Sequence, residues 1–577
     1  MEGARSGQGE RREDIRRALA WALALACLGM ALAAFCLPVS NPDLFWHLSA
    51  GRWMAEHRAF PRQDWLSTTM LGRPWADFEW LVQLLWYGVM EAAGLSGLWA
   101  LKVLAFSACA ALLWLALGLY AVGPAWRGLA VFWWALGMTS ANDLRPENLS
   151  VLLFIGLLAW LEARRLGRWR GRSLRLGAAG VGLYFCVWAN LHAGFLYGLV
   201  LLGIYAGVEA FRRSDRLGWL CAAGAVAALL NPYGAQVYIV PWEHWAMRED
   251  LALYIKEWHG ASMLNRWHWP FWGILFFAFI VICGRFIRRK DTPMEHILAV
   301  AAFGLSASAH ARTGVYFLAA SVPVAAAALT GAESSSARIR ARLAKPVFAS
   351  AFCLGAAFFA WQVVPLLEYG IAFNPGYAPR GAAEFLLRER DALAGRVLLN
   401  PWHWGGYLGW RLHPEYRVFT DGRYIFHHLL REMVEARRSP QEMQSFLDRH
   451  RVDVVVLEPE RGTLPMKVRG KSGEETILRR PAYLFFFPRE TWALVYWDTR
   501  AVVFVRRAVV APEWTAGLEY ELFRPDDLQA AFLKVGEGLA PYARVAAEVE
   551  RFAAAVGEGE QTDVARAWLK AVSKARK

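Results

Sequence analysis

The sequence predicts an α-helical polytopic membrane bundle of about eleven transmembrane helices, followed by an exported C-terminal α/β domain. Two observations predict the bundle. First, 56% of the 577 residues are hydrophobic and the mean hydropathy is +0.23, values that soluble globular chains rarely reach. Second, basic residues concentrate in short loops between apolar spans, as they do in membrane proteins.

Some apolar spans are shorter than the roughly 20 residues that a full crossing needs. We expect the short spans to extend into flanking polar residues that are buried within the bundle. The spans cover approximately residues 18–37, 98–120, 128–140, 149–161, 176–188, 193–211, 217–230, 271–284, 297–308, 314–329 and 347–366.

The distribution of basic residues predicts the orientation. If the N-terminus is cytoplasmic, inside loops hold such residues as Arg164, Arg165, Arg285 and Arg288, and the opposite loops are much poorer in arginine and lysine. An odd number of spans then exports everything after Leu366. We expect the first helix to be retained, because the nominal cleavage site at 31–33 lies inside its apolar run.

The net charge of +14 does not indicate nucleic-acid binding, because no basic face with aromatic platforms is evident. All seven cysteines fall in apolar spans, so no disulfide framework or CxxC metal site is expected.

The pattern predicts three regions. Residues 1–370 form the transmembrane domain, whose first outer loop, 38–97, holds two interfacial helices starting near Pro42 and Asp77. Residues 371–525 form the exported α/β domain, and 526–577 a helical tail. Within the exported domain we expect helices at 380–390, 426–438 and 441–450, strands at 396–400, 416–420 and 452–457, and a hairpin at 492–505.

Carboxylates and imidazoles gather at the expected outer face. Asp43 and His47 lie four residues apart on one helix face, where they can share a proton, bind a cation or orient one another. Asp77 and Glu79 are candidates for a second carboxylate facing Asp43 across a cleft. The structural alternatives are an acidic first helical turn for the three carboxylates and an interfacial belt for His47.

Two arginines at the same face are candidates for gripping a phosphate. Arg145 joins spans three and four, and Arg312 lies at the turn into span ten. The alternative for Arg145 is a salt bridge to Asp143 or Glu147. His192 and His310 occupy comparable turns; His192 could bind the donor or act as hydrogen-bonding glue.

Motifs of soluble chemistry are missing: there is no GxSxG elbow, P-loop, HExxH or Rossmann glycine fingerprint. Residues 421–423, Asp-Gly-Arg, are interpreted as a turn rather than a site. The run 402–407, Trp-His-Trp-Gly-Gly-Tyr, could stack on a sugar ring or pack the exported domain onto the bundle.

These residues resemble the GT-C superfamily of membrane glycosyltransferases, which take sugars from polyprenyl-phosphate donors. More narrowly, they resemble a family of bacterial multi-pass proteins grouped with RgtA/B/C/D-like and dolichyl-phosphate-mannose-protein mannosyltransferase-like proteins. The resemblance covers nearly the whole chain. It is carried by Asp43-Leu44-Phe45-Trp46-His47-Leu48 with Gly51 and Trp53, Arg145-Pro146, Asn190-Leu191-His192, Asn231-Pro232-Tyr233-Gly234, Trp404-Gly405-Gly406-Tyr407-Leu408 and Asp421-Gly422-Arg423.

The resemblance implies a bacterial inner-membrane enzyme in which Asp43 is the general base on the acceptor hydroxyl and displacement at the anomeric carbon is inverting. Arg145 or Arg312 would neutralise the leaving lipid phosphate. Many relatives carry paired acids after span one, whereas Leu44 and Phe45 follow Asp43 here. The partner of Asp43 must then be His47, Asp77 or Glu79, and a divalent metal held by Asp43 and His47 stays open.

Two other functions remain open at this stage. A transporter or flippase of lipid-linked glycans would place charges near the membrane midplane, whereas most span interiors here lack acids. A non-catalytic scaffold would bind glycan or protein through its exported domain and would not need Asp43. The sequence does not identify the donor sugar, or whether the acceptor is a glycan, a lipid or a protein.

Overall fold

A computed structural model gives the fold of the chain. It describes residues 2–168, 173–212, 216–249, 251, 258–329, 337–368, 378–459, 462–469, 473–536, 538 and 541–575. The predicted domain boundary at 370/371 lies outside these residues.

The chain divides into two compact units. The membrane unit consists of Met1–Asn41, Ala50–Phe60 and Ala76–Asn374. The C-terminal unit consists of Pro375–Lys577 together with two segments of the first long loop, Pro42–Ser49 and Pro61–Trp75. Asp43 and His47 therefore belong to the C-terminal unit, although they precede most of the membrane unit in sequence.

The membrane unit is helical. Its longer α-helices are Glu2–Phe35, Trp80–Leu119, Pro124–Met138, Glu147–Arg165, Leu174–Leu191, Phe195–Phe211, Arg216–Ala227, Gln236–Ala246, Trp269–Ile287, Met294–Ala309 and Ala337–Phe358. The helix Leu44–His57 begins in the C-terminal unit and continues into the membrane unit. Shorter helical pieces are Thr139–Ala141, Arg266–His268, Ala311–Thr313, Gly314–Ala320, Val322–Leu329, the π-helix Phe359–Val363 and Val364–Leu367.

Each predicted span falls on one or more of these helices. In the part of the chain that the structure describes, six helices are long and apolar enough to cross a membrane, and three shorter apolar helices accompany them. The polytopic helical bundle is confirmed, whereas the number of about eleven crossings stays a prediction.

The second predicted interfacial helix and the second span are parts of one element, Trp80–Leu119, interrupted at Gly94. Gly94 has φ +61° and ψ −159°, a conformation that only glycine adopts without strain. The helical direction therefore changes between the two parts at this glycine.

Aromatic packing and close helix approach build the core of the membrane unit. The Phe154 ring meets Phe303 and Tyr316 edge-on, with 5.2 Å between centroids in both pairs. Gly128 lies so close to Ala24 that an added Cβ would be 2.7 Å from the Ala24 Cα. Small residues commonly allow such approach between helices in membranes, where lipid provides no hydrophobic driving force for association.

The far end of helix Glu147–Arg165 carries a buried polar network. Glu162 is 1% exposed and is satisfied by Arg165 at 2.9 Å, His296 at 2.9 Å and the hydroxyls of Tyr120 and Tyr205. A buried carboxylate is costly unless it is paired and hydrogen-bonded, so the need to compensate the charge of Glu162 accounts for this network.

The C-terminal unit has two small sheets. The first has the order β1-β2-β6-β5, where β1 is parallel to β2 and the other pairs are antiparallel. The second pairs β3 with β4 antiparallel. The strands are β1 (Leu398–Leu399), β2 (Val454–Leu457), β3 (Thr463–Arg469), β4 (Glu475–Pro481), β5 (Trp492–Trp497) and β6 (Val502–Arg506).

Helices surround these sheets. The helices are Arg380–Arg388, Arg390–Leu393, Trp402–Leu412, Tyr424–Phe426, His427–Ala436, Pro440–Arg449, Tyr483–Phe486, Arg507–Val509, Pro512–Leu518, Leu528–Gly536, Tyr542–Val556 and Glu560–Ala575. The tail packs on the same core, to which it contributes Val545, Val549 and Phe552. A C-terminal α/β region is confirmed.

One predicted strand is wrong. Residues 416–420 join neither sheet, and Val418 instead forms an isolated parallel bridge with Ser67 of the first loop. The backbone N of Thr68 donates to the Val418 carbonyl at 2.8 Å, and Val418 N donates to the Leu66 carbonyl at 3.2 Å. The apolar pattern is therefore satisfied by burial of Tyr416, Val418 and Phe419 without a sheet neighbour.

Candidate active site

Asp43 lies immediately before the helix Leu44–His57, which begins two residues later than the predicted start at Pro42. Its backbone carbonyl accepts the His47 N–H at 3.3 Å, which closes the first helical turn. The Asp43 side chain is half-buried, and His47 is 3% exposed. The two residues therefore share one turn, as their spacing predicts.

Gly422 brings the backbone of a distant loop against Asp43. A Cβ built on Gly422 would overlap the Asp43 carboxylate and would lie 3.2 Å from the Trp46 indole nitrogen Nε1. The loop therefore needs glycine at this position, because any side chain would displace the carboxylate or the indole.

Aromatic rings fix the orientation of the first turn. The rings of Trp46 and His47 are stacked with 3.6 Å between centroids. Trp46 also meets Trp75 edge-on at 6.3 Å, and Phe45 meets Tyr407 edge-on at 5.1 Å. Because Trp46 and His47 are both buried, their rotamers are restricted by packing.

The glycine pair of the helix Trp402–Leu412 contacts the same region. A Cβ on Gly406 would lie 2.9 Å from the Pro42 carbonyl oxygen, and a Cβ on Gly405 would overlap the Thr420 carbonyl. Trp404 is fully buried. The aromatic-glycine run therefore serves packing within the C-terminal unit, and Trp404 offers no face for stacking on a sugar.

A buried ion group holds the loop that contains Gly422. Arg423 Nε donates to Asp421 Oδ1 at 2.9 Å, its Nη2 donates to Oδ2 at 2.7 Å, and its Nη1 pairs with Asp64 Oδ1 at 2.6 Å. Burial lowers the pKa of Arg423, but the carboxylates of Asp421 and then Asp64 outweigh that effect and raise it. The guanidinium also lies 4.6 Å from the centre of the Trp75 ring.

The residues 421–423 are thus more than a turn. Arg423 is 2% exposed, and Asp64 is 2% exposed and accepts the Ser67 N–H at 3.1 Å. A buried arginine between two carboxylates links the first loop to the loop that adjoins Asp43. Nothing in the sequence distinguishes Arg423 and Asp64 from surface residues, because their pairing joins segments that are far apart in the chain.

A second polar group lies in the membrane unit. His192 Nε2 is 3.6 Å from Glu79 Oε1, and its Nδ1 accepts the Gly194 N–H at 2.9 Å. The neutral ring therefore carries its proton on Nε2, which faces Glu79. Burial, and then the charge of Arg312, lower the pKa of His192 to about 3, so the ring is neutral at pH 7.

Arg312, one of the two phosphate candidates, adjoins this group, since its charge acts on His192. Arg312 Nε pairs with Glu147 Oε2 at 3.3 Å while 41% of the Arg312 side chain stays exposed. Arg145 is two residues before Glu147 and is half-buried. Asp143, one predicted partner of Arg145, accepts the Ser40 hydroxyl at 2.9 Å and the Leu144 N–H at 2.7 Å. The structure therefore brings Glu79, His192 and Arg312 into one neighbourhood.

The remaining candidates have structural partners. Asp77 is 3% exposed and its Oδ1 accepts from Gln83 Nε2 at 2.7 Å, across the first turn of the helix that begins at Trp80. His310 Nδ1 lies 3.2 Å from the Trp258 carbonyl oxygen. Asp77 and Glu79 belong to the membrane unit and Asp43 to the C-terminal unit, and their pairing with Asp43 stays a prediction.

Asp43 and His47 could supply two metal ligands. Among the described residues, no group of three or more His, Cys, Asp or Glu side chains is arranged to hold a metal ion.

Comparisons with known proteins agree with this architecture. No protein-family model and no curated protein matches the sequence. Two structures of the oligosaccharyltransferase AglB from Archaeoglobus fulgidus are similar. One is in complex with an inhibitory peptide and a dolichol-phosphate (TM-score 0.55, 11% identity, 95% of this chain and 87% of that chain). The other is tethered with an acceptor peptide (TM-score 0.53, 11% identity, 96% of this chain and 86% of that chain).

ArnT from Cupriavidus metallidurans bound to undecaprenyl phosphate aligns with a TM-score of 0.45 at 16% identity over 86% of this chain and 99% of that chain. The AglB structures carry the assignment of the fold. The narrower likeness to RgtA/B/C/D-like proteins stays a prediction. Similarity over almost the whole chain to these AglB structures shows that this chain shares the fold of that membrane oligosaccharyltransferase.

Proposed function

We propose that the protein is a membrane glycosyltransferase that transfers a sugar from a polyprenyl-phosphate-linked donor to an acceptor at the extracytoplasmic face, with inversion. The observation that carries this proposal is the GT-C fold, shared over 95% of the chain with an oligosaccharyltransferase whose complex contains a dolichol-phosphate. The fold by itself does not specify the reaction, so the side chains must supply the rest of the argument.

Asp43 is the proposed general base. Its carboxylate takes the proton of the acceptor hydroxyl, the hydroxyl oxygen forms a bond to the anomeric carbon, and the bond from that carbon to the phosphate oxygen breaks. The polyprenyl phosphate leaves with the electron pair. The half-buried Asp43, held against Gly422 and beside the stacked rings of Trp46 and His47, supports this role because a general base must be positioned precisely enough to reach one proton.

Arg312 is the better supported of the two proposed phosphate ligands. Its side chain is 41% exposed and its Nε is anchored by Glu147, and a partly exposed, positioned guanidinium suits phosphate binding. Arg145 would add a second positive charge beside it. We propose that His192 donates a hydrogen bond from its Nε2 within the donor site. Glu79 and His310 are proposed to belong to the same site, and Asp77 to support the loop that bears Glu79.

The implied partners are a polyprenyl-phosphate sugar, the lipid bilayer, and an acceptor that is a glycan, a lipid or a protein. The proposed location is the bacterial inner membrane, with a cytoplasmic N-terminus and an extracytoplasmic C-terminal unit. The concentration of arginine and lysine in alternate loops between the apolar spans supports this orientation.

The experiment that tests the proposal measures release of polyprenyl phosphate from a panel of polyprenyl-phosphate sugars by purified protein, with and without EDTA. Because a general base typically contributes a factor of about 10² to 10⁴, Asp43→Asn should lower the rate by roughly that factor. Asp391→Asn, the same change at an exposed position of the C-terminal unit, should leave the rate unchanged.

Full activity of Asp43→Asn would refute the assigned mechanism. Absence of release from every donor, by wild-type protein shown to be folded, would instead favour the transporter or scaffold function. Loss of activity in EDTA that Mg²⁺ or Mn²⁺ restores would show that a divalent metal takes part.

A further inference from the structure

A basic cavity of about 200 Å³ lies in the C-terminal unit, and none of its lining residues has been assigned a role above. Its walls come from β3 and β4, from the segment 484–489, from the segment 521–527 and from the helix Leu528–Gly536. Four cationic side chains and two carboxylates line it: Arg480, Arg489, Arg524, Lys534, Glu521 and Asp527. The lining therefore carries an excess of positive charge.

The two carboxylates are occupied by two of the four cations. Arg480 Nη2 lies 2.6 Å from Asp527 Oδ2, and its Nε lies 2.8 Å from the same oxygen. Glu521 contacts Arg489, and its other oxygen contacts Arg544. No salt bridge joins Arg524 or Lys534 to a carboxylate among the described residues.

Arg524 supplies the observation that points to a ligand. The residue is 9% exposed, and its Nη1 is buried with no hydrogen-bond partner among the described residues. A buried guanidinium N–H without a partner is costly, and native structures seldom retain one without a reason. Because Arg524 lines the cavity, an anion bound there would satisfy this donor.

The crowding of cations agrees with the geometry. Burial, followed by the charges of Arg489, Arg480 and Arg524, lowers the pKa of Lys534. Burial also lowers the pKa of Arg489, and Arg524 adds to that effect, while Glu519 opposes it. An anion in the cavity would reduce both the repulsion and the cost of burial.

We propose that this cavity binds a phosphate-type oxyanion through Arg524 and Lys534. The volume is smaller than the roughly 300–1,000 Å³ of pockets for drug-sized molecules, so the site suits one anionic group rather than an oligosaccharide. Arginine and lysine are the side chains that bind phosphate oxygens most strongly. The phosphate could be free inorganic phosphate or a phosphoryl group on a sugar. The proposal does not depend on the transferase activity.

Isothermal titration calorimetry on the full-length protein in detergent tests the site, with inorganic phosphate and a hexose 6-phosphate as separate ligands. Arg524→Gln and Lys534→Met should each weaken binding about tenfold or more, because each removes a charge-assisted hydrogen bond. Arg566→Gln is the matched control, since the Arg566 side chain is 40% exposed and pairs with Glu558 outside the cavity.

The proposal is overturned if neither ligand binds wild-type protein, or if Arg524→Gln and Lys534→Met bind as tightly as the control. Thermal unfolding without phosphate shows whether each variant is folded. Because Lys534 is partly exposed, Lys534→Met should fold and can test the site even if Arg524→Gln misfolds. Binding of both ligands supports a site for the phosphoryl group itself, and binding of the sugar phosphate alone supports a phosphorylated glycan.

Discussion

The carboxylate of Asp43 and the backbone of Gly422 are in contact within the C-terminal unit, and this contact restricts both residues. Gly422 does not need a left-handed backbone; it needs the absence of a side chain. A substitution at position 422 therefore acts on the geometry of the proposed base rather than on backbone strain.

Gly422→Ala is expected to lower sugar transfer about a hundredfold, because the new methyl group would displace Asp43 by a distance on the order of 1 Å. The measurement is the rate of polyprenyl phosphate release at saturating donor, together with the temperature of unfolding. Gly517→Ala is the control, since its added methyl would meet no atom within 4 Å. Equal rates for the two variants would contradict a catalytic role for the position of Asp43.

The local sequence around Arg423 predicts a turn, whereas the structure places its side chain in a buried ion group. Asp-Gly-Arg after an apolar run is typical of a turn. In the structure Arg423 lies between Asp421 and Asp64, and the ion group is as buried as the hydrophobic core. Only contact with the first loop reveals this, because Asp64 is distant in sequence.

At the scale of the element, the break at Gly94 divides the helix Trp80–Leu119 into two parts. The first part follows the loop that bears Asp77 and Glu79, and the second contributes Phe106, Cys109 and Leu113 to the membrane core. The direction of the chain at this point depends on one backbone conformation.

Gly94→Ala is expected to destabilise the protein by about 1–3 kcal/mol, because alanine is strained at the φ and ψ of Gly94 although there is space for its methyl group. Gly88→Ala, in the same helix at an exposed and regular position, should be neutral or slightly stabilising. The check is the midpoint of thermal unfolding in one detergent. Equal midpoints would show that residue 94 can adopt another conformation without cost.

At the scale of the whole molecule, the distribution of arginines predicts on which side of the membrane the C-terminal unit and each loop between spans lie. Cysteine labelling tests this in a variant whose native cysteines have been replaced. Asp391→Cys, in the C-terminal unit, should react with an impermeant maleimide in intact spheroplasts, whereas Arg288→Cys should react only after permeabilisation. Both positions are exposed. The reverse pattern would place the proposed active site in the cytoplasm.

The amino-acid sequence alone was enough to predict the polytopic helical bundle, the approximate positions of its helices and the α/β character of the C-terminal region. These properties follow from hydropathy and local periodicity, which act over short stretches of chain. It also placed Asp43 and His47 on one helical turn, because an i, i+4 spacing fixes their relative positions.

Which distant segments of the chain meet is evident only in the folded structure. It assigned parts of the first loop to the C-terminal unit, set Gly422 against Asp43, and paired Arg423 with Asp64. It also satisfied residues 416–420 by burial and a single bridge instead of a sheet. Packing and long-range ion pairing decide these features, and neither leaves a periodic signal in the sequence, because the contacting residues are far apart along the chain.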